Sequence, residues 1–524
     1  VDERLVEELA ARLGDDAGDW TINGAEICAR VGAGALVDLT RILLARDGTA
    51  FADLFGRARA GVLEVHAVFA LDTDHAWLHL VAPLAAQDAP PMPTLTQVLP
   101  AAMWYERELH DELGIQITGH PWLARLRLPD DFPDDVFPHR GDFAWTDAVA
   151  RVDPALPPLA PAPAGVVDYP LGPVREGVVE SAHYTLRTVG EEIVDVAFRP
   201  FYKHRGVEKR AEGLPLMHLP LVAERIAGTS AFAHSLALCQ ALERLASVEA
   251  PPRARELRVV LAELERLYNH FAYHAELCQA TGLVVGQAQM EILKERVLRL
   301  NASLSGHRYL FGANIAGGLA FDLDADAVQR AGAELAFLRG EFERLARLLL
   351  KTPSHLDRLE GTGILSPVQA HAYGAVGPIG RASGVDRDTR RDHPYAAYAD
   401  LAVDVPLLSD GDALARLQVR FEEIRASFRL IEQAFDRLSP GAVRVPVEAL
   451  PPKRAALAWA ESPRGEILHW VATDAQGMVQ RWRVRSASFA NAQVFALAIP
   501  GHNILTDFPI IEQSFALSYA GCAR

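Results

Sequence analysis

The chain has 524 residues, half of them hydrophobic and 23% charged, enough material for two or more globular domains. Its formal net charge of −16 offers no basic field to displace counterions from phosphates, which argues against a nucleic-acid partner. Cys28, Cys239, Cys278 and Cys522 contain no C-x-x-C pair, so neither a disulfide framework nor a clustered thiolate site is expected.

The N-terminal segment VDERLVEELAARLG is acidic and amphipathic, unlike a secretory signal. No run of about 18 uncharged apolar residues is present, and the chain reads as cytosolic. Val62–Leu71 and Ala76–Leu84 read as strands joined by a turn at 72–75. Leu95–Leu113 reads as a helix stopped by Gly114. A Pro/Ala-rich linker over 151–168 divides the chain, with Pro154–Pro163 expected to be exposed and open to proteases. Tyr184–Thr188 and Ile193–Phe198 form a hairpin signal. Helical stripes follow from Pro251-Pro252, over Gly286–Tyr309 and over Ala327–Lys351. The stripe from Leu414 to Leu438 predicts a long core helix of a bundle. Strands return at Glu466–Thr473 and Met478–Arg485. The pattern as a whole predicts an α+β fold: a small α/β domain over 1–150, then a helical bundle with peripheral β-hairpins over 169–524. The halves are expected to fold separately.

Two motif series carry a resemblance. The first runs Trp104-Tyr105-Glu106-Arg107-Glu108, His110-Asp111-Glu112-Leu113-Gly114-Ile115, Gly119-His120-Pro121 and Leu128-Pro129-Asp130-Asp131. It resembles the 30-kDa-type subunit of complex I, with Leu113 where phenylalanine is usual. Glu108, Asp111 and Glu112 share a helix face, either solvated or available for docking. The second series begins at His204-Arg205-Gly206-Val207-Glu208-Lys209 and resembles the H-R-G-x-E-K element of the large subunit shared by complex I and the energy-converting nickel–iron hydrogenases. Glu224-Arg225-Ile226-Ala227-Gly228-Thr229-Ser230-Ala231-Phe232-Ala233-His234-Ser235 follows the hydrogenase E-R-V-C-G-I-C-G-F-A-H-S, with Ala227 and Ser230 in place of the cysteines. At the far end, aligning Arg524 puts Ser518 and Gly521 at the second ligand pair and Cys522 one residue out of register.

The resemblance implies a hydrogenase-like large subunit without nickel or iron, since that centre needs soft thiolates. In complex I the vacated cavity receives quinone. Here Gly172-Pro173-Val174-Arg175 places Arg175 where a histidine is usual, and Gly228 falls where the quinone-contacting tyrosine stands. Arg175, His183, His204, Arg205, Glu208 and Arg225 are the candidate cavity, quinone or proton-path residues. His204, Arg205 and Glu208 are expected to brace the site, Arg225 to be a buried cation, and His234 to be structural. The resemblance also implies partners: an iron–sulfur small subunit that holds the clusters, and antiporter-like membrane subunits, with this chain peripheral on the cytoplasmic side of the inner membrane. Three readings stay open: a metal-free coupling subunit, a quinone-reducing subunit, and a scaffold. Such hydrogenases are trimmed after a terminal arginine or histidine once nickel is loaded, so a chain ending at Arg524 is expected to need no maturation protease.

Overall fold

The computed structural model describes residues 3–59, 61–85, 91–141, 143–153, 162–175 and 180–524. Most of the Pro/Ala-rich linker, including 154–161, lies outside the described residues, as does 176–179 of the loop after Arg175. The architecture is α+β, as the residue pattern predicts.

The N-terminal part is a five-stranded sheet made of β1 (Ala17–Asn23), β2 (Glu26–Val31), β3 (Thr49–Arg59), β4 (Val62–Leu71) and β5 (Ala76–Ala85), in the order β1-β2-β5-β4-β3. The β4–β5 hairpin turns at Asp72–Asp74, where the sequence placed it. β2 and β5 are parallel, the other neighbours antiparallel. Helices α1 (Glu3–Leu13) and α2 (Leu36–Leu44) contribute Leu5, Leu9, Leu36, Leu39 and Leu43 to the core of this half. Helix α3 (Ala102–Leu113) packs on β3 and starts seven residues later than the periodicity suggested. Pro100 removes a backbone donor there. The Glu106 carboxylate then takes the Leu95 amide and the Thr94 and Thr96 hydroxyls, holding 94–96 as a loop. Gly114 ends the helix in the left-handed region, φ 68°.

A three-stranded sheet follows: β6 (Val167–Leu171), β7 (His183–Val189) and β8 (Glu192–Arg199), with β7 central. Then come α4 (Ala231–Ala246), α5 (Pro252–Ala280), α6 (Val284–Ser305), α7 (Ala325–Leu349) and α8 (Ala413–Asp436). α5 is the bundle's spine, packed along α6 and α8. It starts on a proline, whose missing N–H costs nothing at a first turn. The Asp412 carboxylate caps α8 by accepting from the Ala415 amide at 2.7 Å. A final sheet, β9 (Ala455–Ser462), β10 (Gly465–Thr473) and β11 (Val479–Arg485), packs on α4. The chain closes with α9 (Ala487–Ala498), α10 (Phe508–Phe515) and the short α11 (Tyr519–Ala523).

The two halves do not stand apart. Ala52, Phe55, Val68 and Trp77 of the first sheet belong to the same buried core as Trp459 and Trp470 of the last one. Trp77 lies 5.0 Å from Trp459 between ring centroids, and Phe55 lies 5.1 Å from Trp470. The expectation of separately folding halves is therefore corrected: one face of the first sheet is apolar and is buried only by the second half.

The acidic face of α3 also needs correction. Glu108, Asp111 and Glu112 are buried, neither solvated nor free for a partner. Glu108 pairs with Arg127, Arg524 and Arg483, the last at 2.8 Å. Glu112 pairs with Arg127 and lies 3.6 Å from Arg481. Asp111 caps the 126–127 loop through the Leu126 and Arg127 amides. Solvent cannot be inferred from charge alone once guanidiniums distant in sequence supply partners. Because the core is shared, Trp77→Ala should cost about 3–5 kcal/mol and lower the stability of both halves together. Urea unfolding followed by tryptophan fluorescence and by far-ultraviolet circular dichroism should give coincident, shifted transitions.

Candidate functional site

The four positions that replace thiolates come together. Ala227 and Ser230 bracket the turn before α4, while Ser518 and Gly521 lie on α11. A Cβ placed on Gly521 would sit 3.2 Å from the Ala227 Cβ and 3.4 Å from both the Cβ and the Oγ of Ser518. All four are buried. The convergence that the sequence implied is present, but the donors are not. Ala227 and Gly521 have no ligating atom, and both hydroxyls are already committed to protein partners. These residues do not fit a nickel–iron centre.

Two charged side chains approach the cluster instead. Arg464 sits in the tight β9–β10 turn, where a Cβ on Gly465 would meet the Gly377 backbone at 2.8 Å, so the turn is pinned against the bundle. Its guanidinium donates to Ser230 Oγ (3.0 Å), Asn269 Oδ1 (3.1 Å) and the Ala516 carbonyl (2.8 Å). Opposite, the Glu180 carboxylate accepts from the Ala520 amide at 2.6 Å and from the Ser518 hydroxyl at 3.2 Å. Ser518 Oγ in turn accepts from the Gly521 amide at 3.1 Å. A cation and an anion thus flank the place where thiolates and metals would stand.

His204, Arg205 and Glu208 form a brace, as the sequence suggested. The Arg205 guanidinium donates to the carbonyls of Arg225 (2.6 Å), Ile226 (2.8 Å) and Ala520 (3.0 Å), tying the 227–230 turn to α11. His204 Nδ1 donates to the Ala523 carbonyl at 2.9 Å. Burial, then the Arg127 charge, lowers the His204 pKa to about 3, so the ring is neutral. Glu208 accepts from Arg481 (2.7 Å), Arg524 (3.1 Å) and the Val484 amide (3.0 Å). Burial alone would raise its pKa, but these guanidiniums hold it well below the usual range.

Arg175 is not at the cluster itself. It makes a two-pronged ion pair with Glu512 on α10, at 2.6 and 2.8 Å, and stacks over the Tyr184 ring. The Tyr184 and Tyr519 hydroxyls donate to the same carboxylate at 2.9 and 2.8 Å. Tyr519 therefore links this pair to α11, one residue from Ser518. His183 opens β7 opposite Arg199, half-buried. Arg225 corrects an expectation: its side chain is 59% exposed, beside Glu224 and over the Phe311 ring, and is no buried cation. His234 is a buried structural ring whose Nδ1 meets His469 Nε2 at 3.1 Å.

Arg464, Glu180, Glu512, Asn269 and Glu265 are site residues that sequence reasoning passed over. Glu180 lay inside the motif stretch without a spacing to mark it. Arg464 had only a Pro-Arg-Gly turn between strands as its signal. Glu265 lies on α5 behind the 230–233 turn and accepts from the Phe232 and Ala233 amides at 2.8 and 3.0 Å. Burial is the largest influence on it and outweighs those amides, raising its pKa to about 8.

The fold and site define a large subunit of the complex I and hydrogenase type, fused to a smaller partner. The model of the respiratory-chain NADH dehydrogenase 49 Kd subunit matches residues 287–457 and 447–524, and that of the 30 Kd subunit matches 30–149. Formate hydrogenlyase subunit 5 of Escherichia coli is 33% identical over 496 residues, covering 93% of this chain and 86% of that protein. The fused C/D protein of NADH-quinone oxidoreductase from Gluconacetobacter diazotrophicus is 28% identical over 479 residues, 83% of this chain and 79% of that one. Among solved structures, a chain of the membrane-bound sulfane sulfur reductase, an archaeal respiratory membrane complex, matches with a TM-score of 0.66 and 26% identity, covering 70% of this chain and all of its own. The chain belongs to this family of fused 30-kDa/49-kDa-type subunits of complex I-related and hydrogenase-related membrane complexes.

The raised Glu265 pKa has a consequence for stability. Between about pH 4.3, where the carboxyl ionises in the unfolded chain, and about pH 8, the folded chain holds a proton that the unfolded chain has lost. That contribution is whole at low pH and disappears as pH rises through 8. Wild-type stability should therefore fall relative to Glu265→Gln over that window, by at most about 1.4 kcal/mol per pH unit. Paired thermal melts of the two proteins from pH 5 to 9 test it, and parallel curves would count against a protonated Glu265.

Proposed function

We propose that this chain is a metal-free hydrogenase-like large subunit that couples electron transfer at a neighbouring iron–sulfur subunit to ion translocation by membrane subunits. The observation that supports this most is the closure of the ligand positions. Ala227 and Gly521 are nearly in contact, and Arg464 and Glu180 take up the flanking polar groups. No step through nickel or iron can be written on such a set. What the residues present can do is hold charge and protons. Glu180 is a carboxylate hydrogen-bonded to a hydroxyl and an amide, and Arg464 is a fixed cation on the other side of the cluster. From Ser518 the hydrogen-bonded groups continue through α11 to Tyr519, Glu512 and Arg175. A charge change in an adjacent electron carrier would be felt along this polar line and in α11, which Arg205 ties to the 225–226 backbone.

The relatives named above belong to formate hydrogenlyase and to an NADH-quinone oxidoreductase, and the solved neighbour belongs to a respiratory membrane complex. By that kinship the partners are an iron–sulfur small subunit and membrane subunits, with this chain peripheral on the cytoplasmic side of the inner membrane. Among the described residues no helix is long and apolar enough to cross a membrane, so attachment on this reading runs through partners.

Two measurements on the assembled complex test the proposal. Elemental analysis should find far less than one nickel atom per chain; a stoichiometric content overturns the metal-free reading. Glu180→Gln should lower turnover about 100-fold, the scale of a lost proton-transfer group, with an unchanged melt. Unchanged turnover would instead leave only the scaffold role. Rates that saturate with added quinone, and fall in Arg175→Ala, would assign quinone reduction to this protein.

A further inference from the structure

Away from this site, the buried face of the first sheet carries an unusual set of donors. Glu26 and Cys28 are two residues apart on β2 and share a face. His79 of β5 is the direct partner of Cys28 in the parallel register. His79 Nδ1 lies 2.9 Å from Glu26 Oε1, and Cys28 Sγ lies 3.5 Å from the same oxygen. The three donor atoms are all within 4.8 Å of one another. Behind them, His79 Nε2 meets His66 Nδ1 at 2.8 Å, and the second Glu26 oxygen accepts from the Leu457 amide at 3.2 Å.

The hydrogen positions along this line point to a cation. His66 Nε2 is buried and has no hydrogen-bond partner, and the nearest charged group to it is the Glu64 carboxylate at 3.7 Å. Facing a carboxylate, that nitrogen is satisfied only if it carries the ring's hydrogen. A neutral His66 then accepts at Nδ1, so His79 must donate from Nε2. A neutral His79 is left with a bare Nδ1 pointing at the Glu26 carboxylate, two acceptors face to face. Something positive belongs between them.

We propose that Glu26, Cys28 and His79 form a site for one divalent zinc-type cation, with His66 as the positioning residue that fixes the His79 tautomer. Oxygen, thiolate and imidazole donors at one point are a zinc set, and a ligating histidine held by a second group through its other nitrogen is the usual arrangement. Zinc bond lengths of about 2.0–2.3 Å place tetrahedral ligands roughly 3.3–3.8 Å apart. The Glu26–His79 contact must therefore open by a few tenths of an ångström. Binding replaces the Cys28 S–H bond with a sulfur–metal bond and releases that proton to solvent. The thiolate and carboxylate then neutralise the ion's two charges. Cys28 is half-buried, whereas the other three thiols are buried, so entry and proton exit are both open on its side. The other close cluster, Glu112, His139 and Glu208, already has Arg481 against it at 3.6 Å from Glu112 and 2.7 Å from Glu208, and needs no metal.

The test uses the full chain stripped with a chelator and titrated with zinc against a chromophoric competitor, and separately with cobalt. One cobalt per chain should bring a thiolate-to-metal charge-transfer band in the near ultraviolet. Cys28→Ser should abolish the band, His79→Gln should weaken zinc binding about 100-fold or more, and His66→Gln should weaken it about 10- to 100-fold. Without any substitution, zinc should slow alkylation of Cys28 in wild-type protein as mapped by mass spectrometry, which keeps the test valid if a variant fails to fold. No stoichiometric binding, or binding with Cys28 alkylation unchanged, overturns the proposal. In that case a proton on His79 supplies the positive charge.

Discussion

Four carboxylates and four guanidiniums meet at the junction of the two halves: Asp53, Glu108, Glu112 and Glu208 with Arg127, Arg481, Arg483 and Arg524. The knot balances formally, which is the condition for keeping so many charges out of water. It holds α3, the 204–208 segment, strand β11 and the end of α11 at one point. The apolar contact between the sheets drives association, but slides easily. The knot fixes its register, since any shift would leave a buried charge without its partner, a loss of roughly 3–5 kcal/mol per pair. The candidate site inherits that register. α11 carries Ser518 and Gly521, and its far end is the Arg524 that Glu108 and Glu208 hold.

Much of this was legible from residues alone, and the remainder was hidden for physical reasons. The β4–β5 hairpin, the β7–β8 hairpin and helices α5 to α8 follow from alternation and helical periodicity, signals that lie within a dozen residues. The pairing of Ala227 with Gly521 was readable only through resemblance, because it joins positions nearly three hundred residues apart. The acidic face of α3 was misread because polarity predicts solvent unless a partner is known, and Arg483 and Arg524 lie far along the chain. Arg225 was misread in the opposite sense, being taken as buried because its neighbours in the motif are. Arg464 and Glu180 belong to loops whose aim is set by tertiary contacts, such as the approach of Gly465 to Gly377, and no local pattern records that.

The site also shows how a fold can lose its metal ligands without losing shape. The spaces left by four thiolates are taken up by close approach of backbone, by two hydroxyls with protein partners, and by Arg464 and Glu180. The Ser230 and Ser518 hydroxyls both have protein partners, which is what stability demands when no ion supplies charge. The family's scaffold is thus maintained by contacts of its own, and the chemistry at its centre is free to differ from one member to another.

The Glu108–Arg524 contact joins residues 416 positions apart. At about 5–20 residues per second of synthesis, some 20 to 80 seconds pass between making the carboxylate and making its guanidinium. During that interval the first sheet stands with its apolar face and the acidic face of α3 both uncovered. A nascent chain in that condition is a substrate for chaperones that shield hydrophobic surface. It is also a poor template for partner subunits, because the register they would read does not yet exist. The charge knot therefore acts as a clock for assembly, withholding a finished docking surface until translation reaches its last arginine.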